Sequence, residues 1–294
     1  MSTITNTSAS AQAKESFIQK NPLLSFFLLA IGLTWIFMIT DALGSHNMIP
    51  FRLPLPLMVV MGYMPTLAAV IVTGATRGKE GVRALFRKLT IVRVGIGWYL
   101  FAIFGLAVIY VLVILLHNLF GNVSPLPILS DKLPPLPPLQ LALSIVPMFI
   151  VIGLINGEEL GWRGFALPHL QAKYNALTSS LLLGLIWTIF HLPLFFTVTG
   201  SSQADWSFVS FLISTVAMSV LYTWLYNNTR GSVLRAYLFH AAANTWSQVF
   251  SIDHANPSVG WIMTGLLVLA AGVVVLISGA ENISRKTTRI QEEN

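Results

Sequence analysis

The sequence predicts an all-α integral membrane protein that crosses the bilayer about eight times. Of its 294 residues, 55% are hydrophobic and only 10% are charged, whereas a soluble domain has about 25% charged residues. The apolar residues are gathered into segments of about 20, the length that crosses a hydrocarbon layer roughly 30 Å thick. No polar stretch is long enough for a soluble domain, so a single polytopic membrane domain is expected.

Eight segments have the length and composition of a membrane span, and the fourth differs from the rest because it ends in the charged run GEELGWR. Residues 1–20 are polar and rich in Ser and Thr, which predicts a disordered cytoplasmic tail. Residues 21–284 form the predicted membrane domain, and residues 285–294 a second cytoplasmic tail. The predicted spans are 22–43, 55–76, 96–120, 139–165, 178–198, 206–227, 232–250 and 259–280.

The basic residues test this topology independently. With eight spans, all of the 17 Lys and Arg residues except Arg52 and Lys132 fall on the side of the N-terminus. Cytoplasmic loops carry the excess of Lys and Arg in membrane proteins, so both termini are predicted to be cytoplasmic. The net charge of +6 then reflects topology and anionic lipid headgroups. Nucleic acid is not expected as a partner.

Two connecting segments have patterns of their own. Segment 78–94 interleaves apolar residues with Arg and Lys, which fits either an amphipathic helix in the cytoplasmic interface or a plain basic loop. Segment 121–138 contains LPPLPP, which favours a stiff polyproline II connection. The chain has no cysteine, which excludes a cysteine nucleophile and thiolate metal ligands.

Two adjacent glutamates lie in the fourth apolar segment. An ionisable side chain at bilayer depth costs several kcal/mol unless it is partnered or faces a water-filled cavity. In a helix, Glu159 and Arg163 stand four residues apart and can pair, while Glu158 shares a face with Trp162. Two carboxylates in different environments can take different roles in proton transfer. The alternative is a helix end with ordinary charges.

Two histidines and an asparagine complete the candidate site. His191 lies about 13 residues into its span, roughly 20 Å at 1.5 Å per residue, and follows Trp187 by four residues. His240 and Asn244 share one helix face. Taken singly, a buried histidine or an inter-helix hydrogen bond explains each of them. Their predicted depths differ, so helix tilt and a kink at Pro193 are needed to bring them together.

Together these side chains suit several kinds of chemistry. Hydrolysis of an amide needs a base that activates water and donors that hold the oxyanion. Glutamate and histidine suit the first task, and histidine and asparagine suit the second. Glu158, His191 and His240 also suit a zinc ion that activates water, although no HExxH helix is present. A proton- or solute-coupled transporter would use the same groups as a relay.

In their order along the chain, the three elements resemble the CAAX prenyl protease and bacteriocin-processing (CPBP, or Abi) family. The matching patterns are EExxxR at 158–163, an aromatic residue four positions before a histidine at 187–191, and HxxxN at 240–244. Trp187 stands where the family often has Phe. The resemblance covers roughly 150–250 and implies a CPBP-like core around 140–255.

This resemblance implies an intramembrane endopeptidase of the glutamic type. Glu158 with His191 would activate the water, and the HxxxN pair would bind the oxyanion. Glu159 and Arg163 would shape and charge-balance the site. The implied mechanism requires no cofactor, and zinc is the alternative.

The expected partner is a polypeptide cut near the cytoplasmic leaflet of a bacterial cell membrane. It would be lipid-modified in CAAX-type processing, and bacteriocin maturation or self-immunity is the other setting. A non-catalytic immunity protein on the same fold is a further hypothesis.

Overall fold

The computed structural model describes residues 15–120, 126–198, 203–250 and 252–285. Within these ranges the chain is helical, and its β-type contact is an isolated bridge between Leu129 and Phe250. The predicted all-α class is therefore confirmed. In chain order, the α-helices are α1 (Phe17–Lys20), α2 (Pro22–Ser45), α3 (Leu55–Gly62), α4 (Met64–Arg87), α5 (Ile96–Phe120), α6 (Pro138–Ile155), α7 (Leu167–Gln171), α8 (Ala176–Phe190), α9 (Phe208–Asn228), α10 (Val233–Val249) and α11 (Pro257–Ser278).

Six of these helices are long and apolar enough to span a membrane, and α3 with α4 make a seventh if the pair, bent by 43°, is one span. The chain is therefore an integral membrane protein. The predicted span 232–250 forms α10, whose 17 residues include Arg235 and His240 among those buried in the bundle. The total of eight spans stays a prediction.

The fourth predicted span, 139–165, is shorter in the structure because α6 ends at Ile155. The chain then turns through Asn156 and Gly157 and continues as a π-helix, Leu160–Ala166. Side chains at and just before the start of α4 donate to carbonyls at this break, and the Tyr63 hydroxyl binds that of Leu154 in the last turn of α6. The Thr66 hydroxyl donates to the carbonyl of Gly157 at 2.6 Å. Both glutamates therefore lie after α6, at a break that the apolar pattern did not reveal.

Segment 78–94 is helical rather than a plain loop over most of its length. Helix α4 is interrupted at Gly78, which has a φ of +62°, and continues to Arg87 before a 3-10 turn, Lys88–Thr90. Leu85 is buried while Arg83 is exposed, as expected of an amphipathic helix. Of the predicted tail 1–20, residues 1–14 lie outside the described part, and its last residues form α1.

One end of the bundle gathers the segments nearest both termini, and we call it the terminal end. The amide of Ala176 donates to the carbonyl of Glu281 at 2.9 Å. The Ser232 hydroxyl donates to the carbonyl of Ile91 at 2.8 Å. These bonds join segments that the predicted topology assigns to one side. The terminal end comprises 88–95, 172–175, 229–232 and 279–285.

The opposite end gathers the remaining connections, and we call it the mouth end. The amide of Ser130 donates to the carbonyl of Val249 at 2.9 Å, and the amide of Val198 donates to the Ser45 hydroxyl at 3.0 Å. Each of these bonds joins two chain segments that the predicted topology assigns to the same side. The mouth end comprises 46–54, 126–137, 197–198, 203–206 and 252–256.

Substitution of Gly161 by Ala should destabilise the fold. A Cβ at this position would lie 2.5 Å from the carbonyl oxygen of Pro65 on α4, and overpacking of this kind costs about 1–3 kcal/mol. Gly272→Ala is the matched control because a Cβ there meets nothing within 4 Å. The measurement is the free energy of unfolding in detergent micelles. Equal stability of the two variants would contradict the close packing of the π-helix on α4.

Candidate active site

Glu158 lies in the turn before the π-helix and is held by two tryptophans. Its Oε2 atom accepts a hydrogen bond from Trp162 Nε1 at 2.9 Å and another from Trp187 Nε1 at 3.0 Å. The predicted shared face of Glu158 and Trp162 is thus confirmed. Both donors bind the same oxygen, which leaves Oε1 available to a further ligand. The side chain is 8% exposed, so these two bonds fix a carboxylate that has little contact with solvent.

Glu159 has a different environment from its neighbour. Its Oε1 atom accepts hydrogen bonds from Arg163 Nη1 at 3.0 Å and from His240 Nδ1 at 2.8 Å. The predicted pairing with Arg163 is confirmed, and the contact with His240 joins the first and third sequence motifs. Glu159 is fully buried. A carboxylate at this depth would be strongly unfavourable without such partners.

Arg163 is itself enclosed by aromatic rings. Its Cζ atom lies 3.7 Å from the ring centroid of Tyr222 and 4.4 Å from that of Trp187. A guanidinium over a ring face is attracted by the ring quadrupole, and the attraction strengthens when water is excluded. Sequence reasoning missed Tyr222 because it lies in α9 outside any motif, among apolar residues that give no signal.

His191 caps the C-terminal end of α8, where the chain passes into a 3-10 turn, Leu192–Phe196. Its Nδ1 atom donates to the carbonyl of Trp187 at 2.8 Å. A carbonyl oxygen only accepts, so Nδ1 carries the proton and neutral His191 has its lone pair on Nε2. Trp187 therefore orients two groups, since its indole binds Glu158 and its carbonyl binds His191.

His240 and Asn244 lie one turn apart on α10. His240 uses Nδ1 to bind Glu159, so its Nε2 carries a proton only when the ring is an imidazolium. Among the described residues, the side-chain amide of Asn244 has no hydrogen-bond partner. The structure thus brings His240 to the glutamates and leaves the Asn244 amide free on the same helix.

A cavity of about 890 Å³ extends from His191, His240 and Asn244 to the mouth end. Its size is typical of a ligand-binding pocket. Helices α5, α6, α8, α9, α10 and α11 contribute to its walls. Site residues form its inner part: Trp187, His191, Tyr222, His240 and Asn244.

At the mouth of the cavity, His254 stacks on Trp206 with ring centroids 3.8 Å apart. Burial lowers the pKa of His254 to about 4, because an apolar environment disfavours the imidazolium. His254 is therefore neutral at pH 7. It contributes a neutral, stacked ring to the mouth, and its charge changes only in acid.

The zinc alternative would place Glu158, His191 and His240 around one ion. None of the His, Asp and Glu side chains of the described residues form a group of three or more that could hold a metal ion. Trp187 forms hydrogen bonds with Glu158 and with His191. His240 instead forms its hydrogen bond with Glu159.

The part of the chain that contains these residues is similar to known proteins. Residues 138–246 match the family model of the type II CAAX prenyl endopeptidases, Rce1-like. We call residues 138–246, which are similar to this family, the Rce1-like region. CAAX prenyl protease 2 of Methanococcus maripaludis is 31% identical to the chain over 134 residues, which are 44% of the chain and 48% of that protein. The chain thus spans about half the length of this relative. The resemblance predicted from the three motifs is confirmed, and the Rce1-like region contains all five candidate catalytic residues together with Arg163 and Trp187.

Substitution of Arg163 by Gln should destabilise the Rce1-like region severely. It would leave Glu159 buried with His240 as its remaining partner, and removal of one member of a buried ion pair costs about 3–5 kcal/mol. Denaturant titration in micelles measures the loss. The double variant Glu159→Gln/Arg163→Gln should recover part of it, because the uncompensated charge is then absent.

Arg52→Gln is the matched control for this experiment. Arg52 also pairs with a carboxylate, Asp41 at 3.1 Å, but its side chain is 41% exposed, and an exposed pair contributes about 0–1 kcal/mol. If Arg163→Gln costs no more than Arg52→Gln, the proposed importance of the buried pair is wrong.

Proposed function

We propose that the chain is an intramembrane endopeptidase in which Glu158 and His191 activate the water that attacks a peptide bond. The observation that carries this proposal is that the two adjacent carboxylates have different hydrogen-bond partners. Glu159 is bound by Arg163 and His240. Glu158 keeps one oxygen available, and Trp187 links it to a histidine whose Nε2 lone pair is free.

The proton transfers follow from these positions. Water bound between Glu158 Oε1 and His191 Nε2 loses a proton to Glu158 as its oxygen attacks the carbonyl carbon. The protonated Glu158 then donates this proton to the leaving amine, whose bond to carbon breaks. A positioned acid and base of this kind contribute about 10²–10⁴-fold to the rate. The two indole donors on Oε2 keep the carboxylate oriented through both steps.

In this proposal, His240 and Asn244 stabilise the oxyanion. His240 bound to Glu159 offers an Nε2 proton as imidazolium, and the Asn244 amide is free to donate. In this protonation state, the charges of the two glutamates balance those of Arg163 and His240. The oxyanion then forms opposite a cation that is already in place, which lowers the cost of reorganisation.

The comparisons support a peptidase at the level of the family, since the relative from M. maripaludis is named a prenyl protease. The first substrate class to test is therefore a polypeptide with a lipid-modified CAAX-type end. Bacteriocin maturation is a narrower hypothesis that no contact in the structure favours. We also propose that the site needs no metal, since its carboxylates bind protein donors, and that both termini are cytoplasmic.

Substitution of Glu158 by Gln should abolish cleavage. Mass spectrometry of polypeptide termini compares membranes that contain equal amounts of the wild type or the variant, and termini found only with the wild type identify substrates. Glu80→Gln is the matched control because Glu80 is exposed in the second half of α4. Identical termini in all three samples would count against a peptidase and favour a transporter or a non-catalytic immunity protein.

Substitution of Asn244 by Ala should lower kcat by about 10²–10³-fold, as loss of one oxyanion donor does. The assay uses a synthetic peptide that spans a Glu158-dependent cleavage site, together with thermal stability in micelles. Gln248→Ala removes an amide one turn farther along the same wall of the cavity and should have a much smaller effect. A fully active Asn244→Ala would show that the oxyanion role is wrong.

A further inference from the structure

The connecting segments that line the cavity, among the described residues, belong to the mouth end. The outer part of the cavity is formed by residues around Ser130, around Asp205 and around His254. These belong to three different connections, and each follows or precedes a helix at the mouth end. The direction of opening is therefore fixed by the fold of several helices.

The mouth end is opposite the end that carries most of the basic residues. Among the described connections, the mouth end contains only Arg52 and Lys132 as basic residues, whereas Lys88, Arg93 and Lys173 lie in or beside those of the terminal end. Because Lys and Arg accumulate in cytoplasmic loops, the terminal end is cytoplasmic and the mouth faces the other side of the membrane.

The distance from the mouth to the site limits the shape of the substrate. His240 precedes Phe250, at the end of α10, by ten residues, which is roughly 15 Å along a helix. An extended chain covers about 3.3 Å per residue, so roughly five residues are needed to reach the site. A folded domain does not fit into about 890 Å³, whereas an extended chain does.

We propose that the cavity takes its polypeptide from the non-cytoplasmic face, as an extended chain end or loop of at least about five residues. Access from this face is independent of the chemistry, but cleavage of the polypeptide rests on the proposed function. The substrates are then exported polypeptides or outward-facing segments of membrane proteins, and a CAAX-type chain end is a substrate when it is presented at this face. This differs from the cut near the cytoplasmic leaflet that the resemblance alone implied.

The absence of cysteine from the whole sequence makes the proposal directly testable. Three single-cysteine variants are compared: Lys132→Cys at the mouth, Ser247→Cys on the cavity wall, and Lys173→Cys at the terminal end. Lys132 and Lys173 are exposed, and Ser247 lines the cavity. Intact cells that express each variant are treated with a membrane-impermeant maleimide, with and without prior permeabilisation, and with a permeant maleimide as a control for reactivity.

The proposal predicts that Lys132→Cys and Ser247→Cys are labelled in intact cells and that Lys173→Cys is labelled only after permeabilisation. The proposal would be overturned if Ser247→Cys, like Lys173→Cys, were labelled only after permeabilisation. Failure of Ser247→Cys to react with the permeant reagent would also overturn it, because the cavity would then be closed. Labelling needs no catalysis, so the two proposals can fail separately. If the labelling pattern is as expected but the wild type and Glu158→Gln give the same polypeptide termini, the peptidase is refuted and the direction of access still holds.

Discussion

The site depends on the neutralisation of one buried carboxylate. Glu159 is fully buried and binds Arg163 and His240 through a single oxygen. Desolvation of a charge at this depth is strongly unfavourable, so the fold has to bring both partners to it. Arg163 comes from the π-helix and His240 from α10, while the rings that enclose the guanidinium come from α8 and α9. One charge thus fixes four separate elements relative to one another.

The irregular backbone after α6 places the two glutamates in different environments. Adjacent residues on a regular helix point about 100° apart, and here the chain also leaves α6 at Ile155 and continues as a π-helix. Glu158 consequently meets the indoles of Trp162 and Trp187, while its neighbour faces the interior of the bundle. π-helices are rare and occur frequently at functional sites. The irregular backbone therefore gives two identical side chains different chemistry.

Properties that depend on local composition or spacing could be predicted from the sequence. Apolar length marked the six helices that are long enough to span a membrane, and four-residue spacing marked the pair Glu159–Arg163. Contacts between distant segments could not be predicted, because they depend on how helices pack. The meeting of His240 with Glu159 and the place of Tyr222 over Arg163 belong to this class. The early end of α6 was also missed, since Tyr63 and Thr66, whose hydroxyls bind carbonyls at this break, are distant in the sequence.

The same contacts weigh against proton-coupled transport, the competing use of these residues. A relay requires carboxylates that gain and lose protons in turn. Protonation of Glu159 would leave Arg163 as an uncompensated charge between two rings, which is the state that burial penalises most strongly. Glu158 has no cation among its hydrogen-bond partners, so it can accept a proton without this cost. Glu159 thus keeps a fixed charge, while Glu158 can gain and lose a proton. This arrangement suits hydrolysis, in which Glu158 takes a proton from water, passes it to the leaving group and returns to its starting state.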